Sequence, residues 1–280
     1  MLILERGGQF MDKLIAAIRQ GLNMPAGTSD FVIIAMFVVG CLLVVASIVA
    51  LVISIYLAIS YVRYNRKQNS LGKTGEEIAR DILDKNGLEN IKVSKNGSIL
   101  FGNSYSHYFK KVRLRRLTWK KTSVSSLAMA TQKSSLAVMD KEGDPAMKLQ
   151  IRLTPFIYFG PLAFIPLVVI GFLVDWFLLN STTYILTFSL TRVGLAFYIL
   201  SFIFSILVLK TEKKAQQKAL ELMEKDNLAN EEEREMCKKL FHLYNIEYIN
   251  NMVIALLEAI YRVLQIVGYA QGASAASSSD

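Results

Sequence analysis

The sequence predicts a mainly α-helical membrane protein in which three or four transmembrane helices carry a small α+β domain. Three observations lead there. Hydrophobic residues make up 52% of the 280-residue chain and the mean hydropathy is +0.34, a composition outside the range of ordinary soluble globules. Uncharged runs of membrane length recur along the chain. Between them, Arg63 to Arg152 holds 19 Lys or Arg against 8 Asp or Glu, so one polar segment carries the positive charge of the whole chain.

The elements follow in order. Residues 1 to 30 mix three acids with three bases, and Phe10, Leu14, Ile15, Ile18 and Leu22 recur at helical spacing, which argues against a secretory leader. This segment reads as an amphipathic helix broken near Pro25, lying in the membrane interface or packed on other protein. Phe31 to Val62 is free of charge for 32 residues and forms the first span, with Thr28, Ser29 and Asp30 as its cap. Residues 155–209 supply the second and third spans, from the uncharged runs between Arg152 and Asp175 and between Arg192 and Lys210; the latter, 17 residues long, is at the short limit. Because basic segments stay inside, residues 63–154 and 210–245 are expected to be cytoplasmic, and the amino terminus and the turn from Asp175 to Arg192 outside.

In the first internal segment, Thr74-Gly75-Glu76-Glu77 is a capping box, opening a helix that stops at Asn86-Gly87. Ile91–Val93, Ser98–Phe101 and Lys111–Leu117 read as strands of an antiparallel sheet, with Asn96-Gly97 as a hairpin turn. Thr122 to Gly143 reads as a helix with one buried stripe, Val124, Leu127, Ala128, Thr131, Ser135 and Val138, and an exposed opposite side. Residues 210–245 form a helical hairpin, one arm presenting Ala215, Ala219, Leu222 and Met223, the other Met236, Cys237, Leu240, Phe241 and Tyr244. Residues 246–267 make a last helix, membrane-inserted or interfacial. Ile249, Met252, Val253, Leu256, Leu257, Ile260 and Leu264 line its apolar side, and Glu247, Asn250, Asn251, Glu258, Arg262 and Gln265 its polar side. A polar stripe facing lipid is costly, so it faces protein, water or a partner. Residues 268–280 read as a disordered tail. Cys41 and Cys237 are too few for a disulfide framework and read as buried thiols.

Several stretches resemble a known family, the YugP-type neutral zinc metallopeptidases, which are bacterial membrane proteins. The stretch YNRKQNSLGKTGEEIARDILDKNGL carries the likeness, followed by Val112-Arg113-Leu114, Ser123-Val124, Leu153, Pro155 and Phe159-Gly160, then Glu212, Lys218-Ala219-Leu220, Tyr248 and Leu256-Leu257. The resemblance covers roughly residues 55 to 265. It implies a cytoplasmic α+β metallopeptidase-like domain and a cell-membrane location. It also implies a His-Glu-x-x-His motif, two imidazoles one turn apart on zinc and a Glu acting on its water. On this chain those positions fall on Gln132, Lys133 and Leu136. Leucine has no lone pair, and an ammonium repels a cation. The family's Asp-His-Tyr-Asp-Pro hairpin corresponds to residues 103–107, where only Tyr105 is kept. Glu212 matches the acidic third-ligand position, and Lys214 stands where a further acid would.

Histidine occurs only at His107 and His242, so a relocated site would have to be assembled from these with Cys237 and Glu212. Ser134 and Ser135 have no base beside them in sequence. The expectation is therefore a catalytically inactive homologue, with no cofactor and no metal, serving as scaffold, adaptor or assembly subunit of a membrane complex. The alternative is an active membrane hydrolase with an unrecognised site; a transporter is a third, weaker reading. The basic patch Lys110, Lys111, Arg113, Arg115, Arg116, Lys120 and Lys121, with Trp119 among them, suits anionic inner-leaflet lipid or an acidic protein partner. No motif accompanies it that would suit nucleic acid. Other membrane subunits, in a hetero-oligomer, are the expected partners.

Overall fold

A computed structural model describes residues 2–97, 102–178 and 185–277. The chain is mainly helical: α1 (Leu2–Gly21), α2 (Asp30–Arg66), α3 (Gly75–Lys85), β1 (Lys92–Asn96), β2 (Ser104–Ser106), β3 (Lys111–Arg115), α4 (Arg116–Trp119), α5 (Val124–Glu142), α6 (Pro145–Leu173), α7 (Ile185–Lys225) and α8 (Glu231–Ser277), with a π-helical turn at Val174–Leu178. Three helical stretches among the described residues are long and apolar enough to cross a membrane: Asp30–Arg66, Arg192–Lys225 and Glu231–Gly272. The chain divides into two compact units, Met1–Ala50 with Asn250–Asp280, and Leu51–Ile249.

In the first unit, α1 ends at Gly21 and a turn through Pro25 leads into α2. The Thr28 hydroxyl, expected as a cap, donates instead to the Gly268 carbonyl at 3.0 Å, while Arg19 pairs with Asp30 at 2.8 Å. The chain approaches α8 so closely that a β-carbon on Gly272 would lie 2.2 Å from Pro25 Cβ, and one on Gly27 2.3 Å from Ala275 Cβ. Residues 268–277, expected to be a disordered tail, are thus helical because small residues there allow α8 to be packed; Ser278 to Asp280 lie outside the described residues. Met24, Val32 and Met36 form this unit's core with Leu22, Tyr261 and Leu264. Cys41 is exposed on α2 rather than buried, on a helix whose neighbouring apolar side chains, Val44, Val45 and Ile48, are also exposed.

The second unit is built around α5. Ser123 caps it by accepting from the Ser126 amide, and Gly143 ends it in the left-handed conformation at φ +72°. The expected exposed side does not exist. From Val124 to Met139 every residue except Lys133 is buried. Small residues explain the difference: Ser125, Ser126, Ala128, Ala130, Ser134, Ser135 and Ala137 let neighbours close on all faces. Several hydroxyls find internal acceptors, Ser126 on the Leu117 carbonyl at 3.2 Å and Ser135 on the Thr131 carbonyl at 2.8 Å. Packed around α5 are α3, α4, the sheet and α7, with Leu57 of α2 and Cys237, Leu240 and Phe241 of α8 in the same core. Cys237 is buried, as expected.

The capping box is present in full: Thr74 accepts from the Glu77 amide and the Glu77 carboxylate accepts from the Thr74 amide at 2.7 Å. Those hydrogen bonds, backbone first and then the hydroxyl, hold the Glu77 carboxyl below its usual range. The helix stops at Asn86, with Gly87 left-handed at φ +64°. The sheet is mixed rather than antiparallel, in the order β1-β3-β2, with β1 parallel and β2 antiparallel to β3. The hairpin joining β2 to β3 turns at residues 107–110, where Lys110 adopts positive φ; the arm expected to follow the Asn96-Gly97 turn lies outside the described residues. β3 takes the centre because it alone offers two fully buried side chains, Val112 and Leu114, on one face. It ends at Arg115, two residues short of the expected strand; the strand expected at Ser98–Phe101 lies outside the described residues.

Three helices run across the segment limits suggested by hydropathy. α6 starts at Pro145, capped by Asp144, α7 continues without a break from its apolar part to Lys225, and residues 246–267 are the middle of α8 rather than a separate helix. The hairpin expected at 210–245 is the end of α7 meeting the start of α8.

Two substitutions at the start of α3 check this packing. Thr74→Ala should cost about 1 kcal/mol through loss of the cap. Gly75→Ala should cost about 1–3 kcal/mol although Ala is the better helix former, because its β-carbon would lie 2.1 Å from the Thr118 carbonyl oxygen. Thermal unfolding in detergent reads both, and a Gly75→Ala variant as stable as the parent would contradict the packing.

Candidate functional site

The positions singled out on α5 meet the end of α7 that follows its apolar stretch. Gln132 and Lys133 stand on adjacent residues of α5, and both reach Glu212 on α7. The Gln132 amide nitrogen donates to Glu212 Oε2 at 2.8 Å; Lys133 Nζ donates to Oε1 at 3.0 Å and to Oε2 at 2.8 Å. The Lys133 and Glu212 side chains are only 12% and 23% exposed, so the pair is largely shielded from water. Leu136, one turn on, is buried in a small apolar cluster with Met139, Met147 and Ala215.

Flanking contacts extend the same seam. Lys214 pairs with Asp144 at 3.0 Å and Lys218 with Glu142 at 2.8 Å, so three lysines in all tie α5 and its C-terminal turn to α7. Burial raises the Asp144 carboxyl, but the Lys214 ammonium and the Met147 and Ala146 amides outweigh it and leave the group below its usual range. On α5 one further turn along, Asp140 accepts from the Tyr105 hydroxyl at 2.6 Å and lies 2.6 Å from His107 Nδ1. Burial, then the hydrogen bond to Asp140, push the Tyr105 hydroxyl well above its ordinary range and keep it a donor.

The other candidate residues are not gathered here. His107 bonds Asp140, His242 is exposed on α8, and the Cys237 thiol faces the Val124 carbonyl 3.9 Å away. Ser135 donates within its own helix, the Ser134 hydroxyl is buried without a hydrogen bond, and the Lys133 amine beside it is held by Glu212. Neither serine therefore has an activating base. On the basic patch, Lys111, Arg113 and Arg115 share one face of β3, with Arg113 over the Phe109 ring at 5.4 Å. Lys110 lies in the hairpin, Arg116 and Trp119 on α4, and Lys120 and Lys121 in the loop after it; Trp119 packs partly against the core. On the polar stripe of α8, Glu247 accepts from the Ser54 hydroxyl at 3.2 Å and Asn250 donates to the Ala46 carbonyl at 3.4 Å, while Asn251, Glu258 and Arg262 are exposed.

A family model described as "Putative neutral zinc metallopeptidase" matches residues 39–267. The chain belongs to this family. Among curated proteins, the "Putative membrane protease YugP" of Bacillus subtilis (strain 168) is 23% identical over 205 residues, covering 73% of this chain and 86% of that protein. No solved structure matches the chain.

The family implies zinc, and the residues at the α5–α7 seam do not fit it. A catalytic zinc takes about three lone-pair donors. Here Glu212 is the one carboxylate among the four positions, and it already receives N–H groups from Gln132 and Lys133. An ammonium 2.8 Å from it occupies the position of the cation it would otherwise bind. Among the described residues there is no group of three His, Cys, Asp or Glu that could hold a metal ion.

Asp140, Asp144 and Glu142 were not apparent from the sequence as parts of this seam. The i to i+4 step from Leu136 to Asp140, combined with the retained Tyr105, was the available signal.

The seam makes a double-substitution test possible. Glu212→Leu should cost roughly 1–3 kcal/mol by leaving the Lys133 ammonium in a shielded place without its counter-ion, and Lys133→Met should cost a similar amount. The double variant should recover much of the loss, because two apolar groups need no partner. Thermal unfolding of the four proteins measures the coupling, and strictly additive losses would show that the pair is not a unit.

Proposed function

We propose that this chain is a catalytically inactive membrane metallopeptidase homologue that serves as a scaffold, adaptor or assembly subunit of a membrane protein complex. One observation carries the reading: Glu212, at the position of the family's acidic ligand, is neutralised by the Lys133 ammonium rather than left open to a metal. A zinc site keeps its carboxylate free to coordinate; here that carboxylate is a structural element joining two helices. With no imidazole on α5 and no base beside its serines, the preserved feature is the frame of the fold and the surface it presents.

The family membership and the apolar helices support a cell-membrane location. The charge distribution supports a multi-pass arrangement with residues 63–154 and 210–245 on the cytoplasmic side and 31–62 and 155–209 as membrane segments. Partners of this form would be other membrane subunits in a hetero-oligomer. They could engage the exposed apolar side chains of the second unit on α2 and α8, Val52, Ile55, Ile59 and Ile249.

Two measurements test the proposal together. Incubated with fluorescent casein and zinc, the purified chain should release no more product than its Glu212→Gln variant. In native gels of gently solubilised membranes it should migrate as a defined complex larger than its 31.4 kDa. Casein cleavage abolished by Glu212→Gln would contradict the inactive reading, and migration as a monomer would contradict the scaffold role.

A further inference from the structure

A groove of about 770 Å³ opens beside the end of α2, between that helix, the stretch of α8 around Tyr244 and Glu247, and the β1 and β3–α4 edge of the sheet domain. Its walls differ in chemistry. Leu57, Ala58, Tyr61 and Val62 of α2 line one side, joined by Leu117 of α4, which is half exposed. Lys95, Arg115 and Arg116 line the other, and the one acid in the lining, Glu247, already accepts a hydrogen bond from Ser54. Three cations thus stand over an apolar floor with one engaged carboxylate.

The position along α2 gives this arrangement meaning. Apolar residues run uncharged from Phe31 to Val62, and Arg63 and Arg66 then end the helix. The groove spans Ser54 to Val62, the last turns before the charge begins. A helix crossing the bilayer places such turns where acyl chains give way to headgroups. Continuing away from the cations, Leu51, Val52, Ile55 and Ile59 extend the apolar surface along α2. Soluble ligands of the same charge would find the cations but leave that floor wet.

We infer that this groove binds one anionic glycerophospholipid, its phosphate held by Lys95, Arg115 and Arg116 and an acyl chain laid along Leu57, Ala58 and Val62. The inference rests on α2 crossing the membrane and is independent of whether the chain hydrolyses peptides. Tyr61 and Tyr244, both in the lining, suit the boundary layer, where an aromatic body meets lipid and a hydroxyl meets water.

The full chain, purified in a non-ionic detergent, can be titrated with phosphatidylglycerol and with phosphatidylcholine, and bound lipid counted by native mass spectrometry. Phosphatidylglycerol should bind at one lipid per chain and in preference to phosphatidylcholine. Arg115→Gln/Arg116→Gln should weaken it by roughly 30-fold, the loss of two juxtamembrane cations. Ala58→Trp, which fills the floor and leaves every charge in place, should also abolish the single-lipid adduct. The control Lys238→Gln/Lys239→Gln removes two exposed positive charges of α8 outside the groove and should bind as the parent does. Equal affinity for the two lipids, an equal loss in the Lys238/Lys239 control, or unchanged binding by Ala58→Trp would each overturn the groove. Folding of each variant is checked by its thermal transition, and Ala58→Trp keeps the test decisive if the double arginine variant does not fold.

Discussion

The bond between Lys133 and Glu212 is the constraint on which the second unit turns. A carboxylate held between helices must be neutralised, because burial of an unpaired charge costs several kcal/mol. A metal ion can do this with help from other ligands. In this chain an ammonium does it alone, 2.8 Å away, with the Gln132 amide completing the set. The contact serves cohesion: it fastens α5 to α7 through Gln132, Lys133 and Glu212.

That fastening suits a helix enclosed on every side. Because α5 is buried from Val124 to Met139 apart from Lys133, its polar groups need partners inside the protein, although the Thr131 and Ser134 hydroxyls have none. Asp140 meets this with Tyr105 and His107, and Asp144, just past the helix end, with Lys214 and two amides. The seam is consequently a row of charge-assisted contacts at successive turns, with Leu136 filling the gap in an apolar cluster. Such a row fixes the register of two helices more firmly than apolar contacts, which tolerate sliding.

Local chemistry made much of the fold legible in the sequence. The Thr74-x-x-Glu77 box and Asn86-Gly87 are signals written within a few residues, and the structure places both as read; the helix read over Thr122 to Gly143 is α5, capped at Ser123 and ended at Gly143. The long-range arrangement was less legible. Nothing local tells Lys92–Asn96 to pair in parallel with Lys111–Arg115, since the pairing follows from β3 taking the centre with Val112 and Leu114 buried on one face. The all-round burial of α5 was hidden by its serines and alanines, which look like a polar surface until neighbours close over them. Charge breaks likewise suggested helix ends at 210 and 246, yet α7 and α8 run through because a charged residue can leave the apolar layer without ending a helix. At the site, Gln132, Lys133, Leu136 and Glu212 were legible from resemblance, but that Lys133 would be the partner of Glu212 required the fold.

Under the proposed reading, protein nitrogen stands where a metal ion would otherwise neutralise Glu212. The most direct measurement is the zinc content of the chain, purified without chelators from zinc-supplemented cells and determined by inductively coupled plasma mass spectrometry. The account predicts far less than one zinc per chain, with no change in the Glu212→Ala variant; one zinc per chain, lost in that variant, would contradict it.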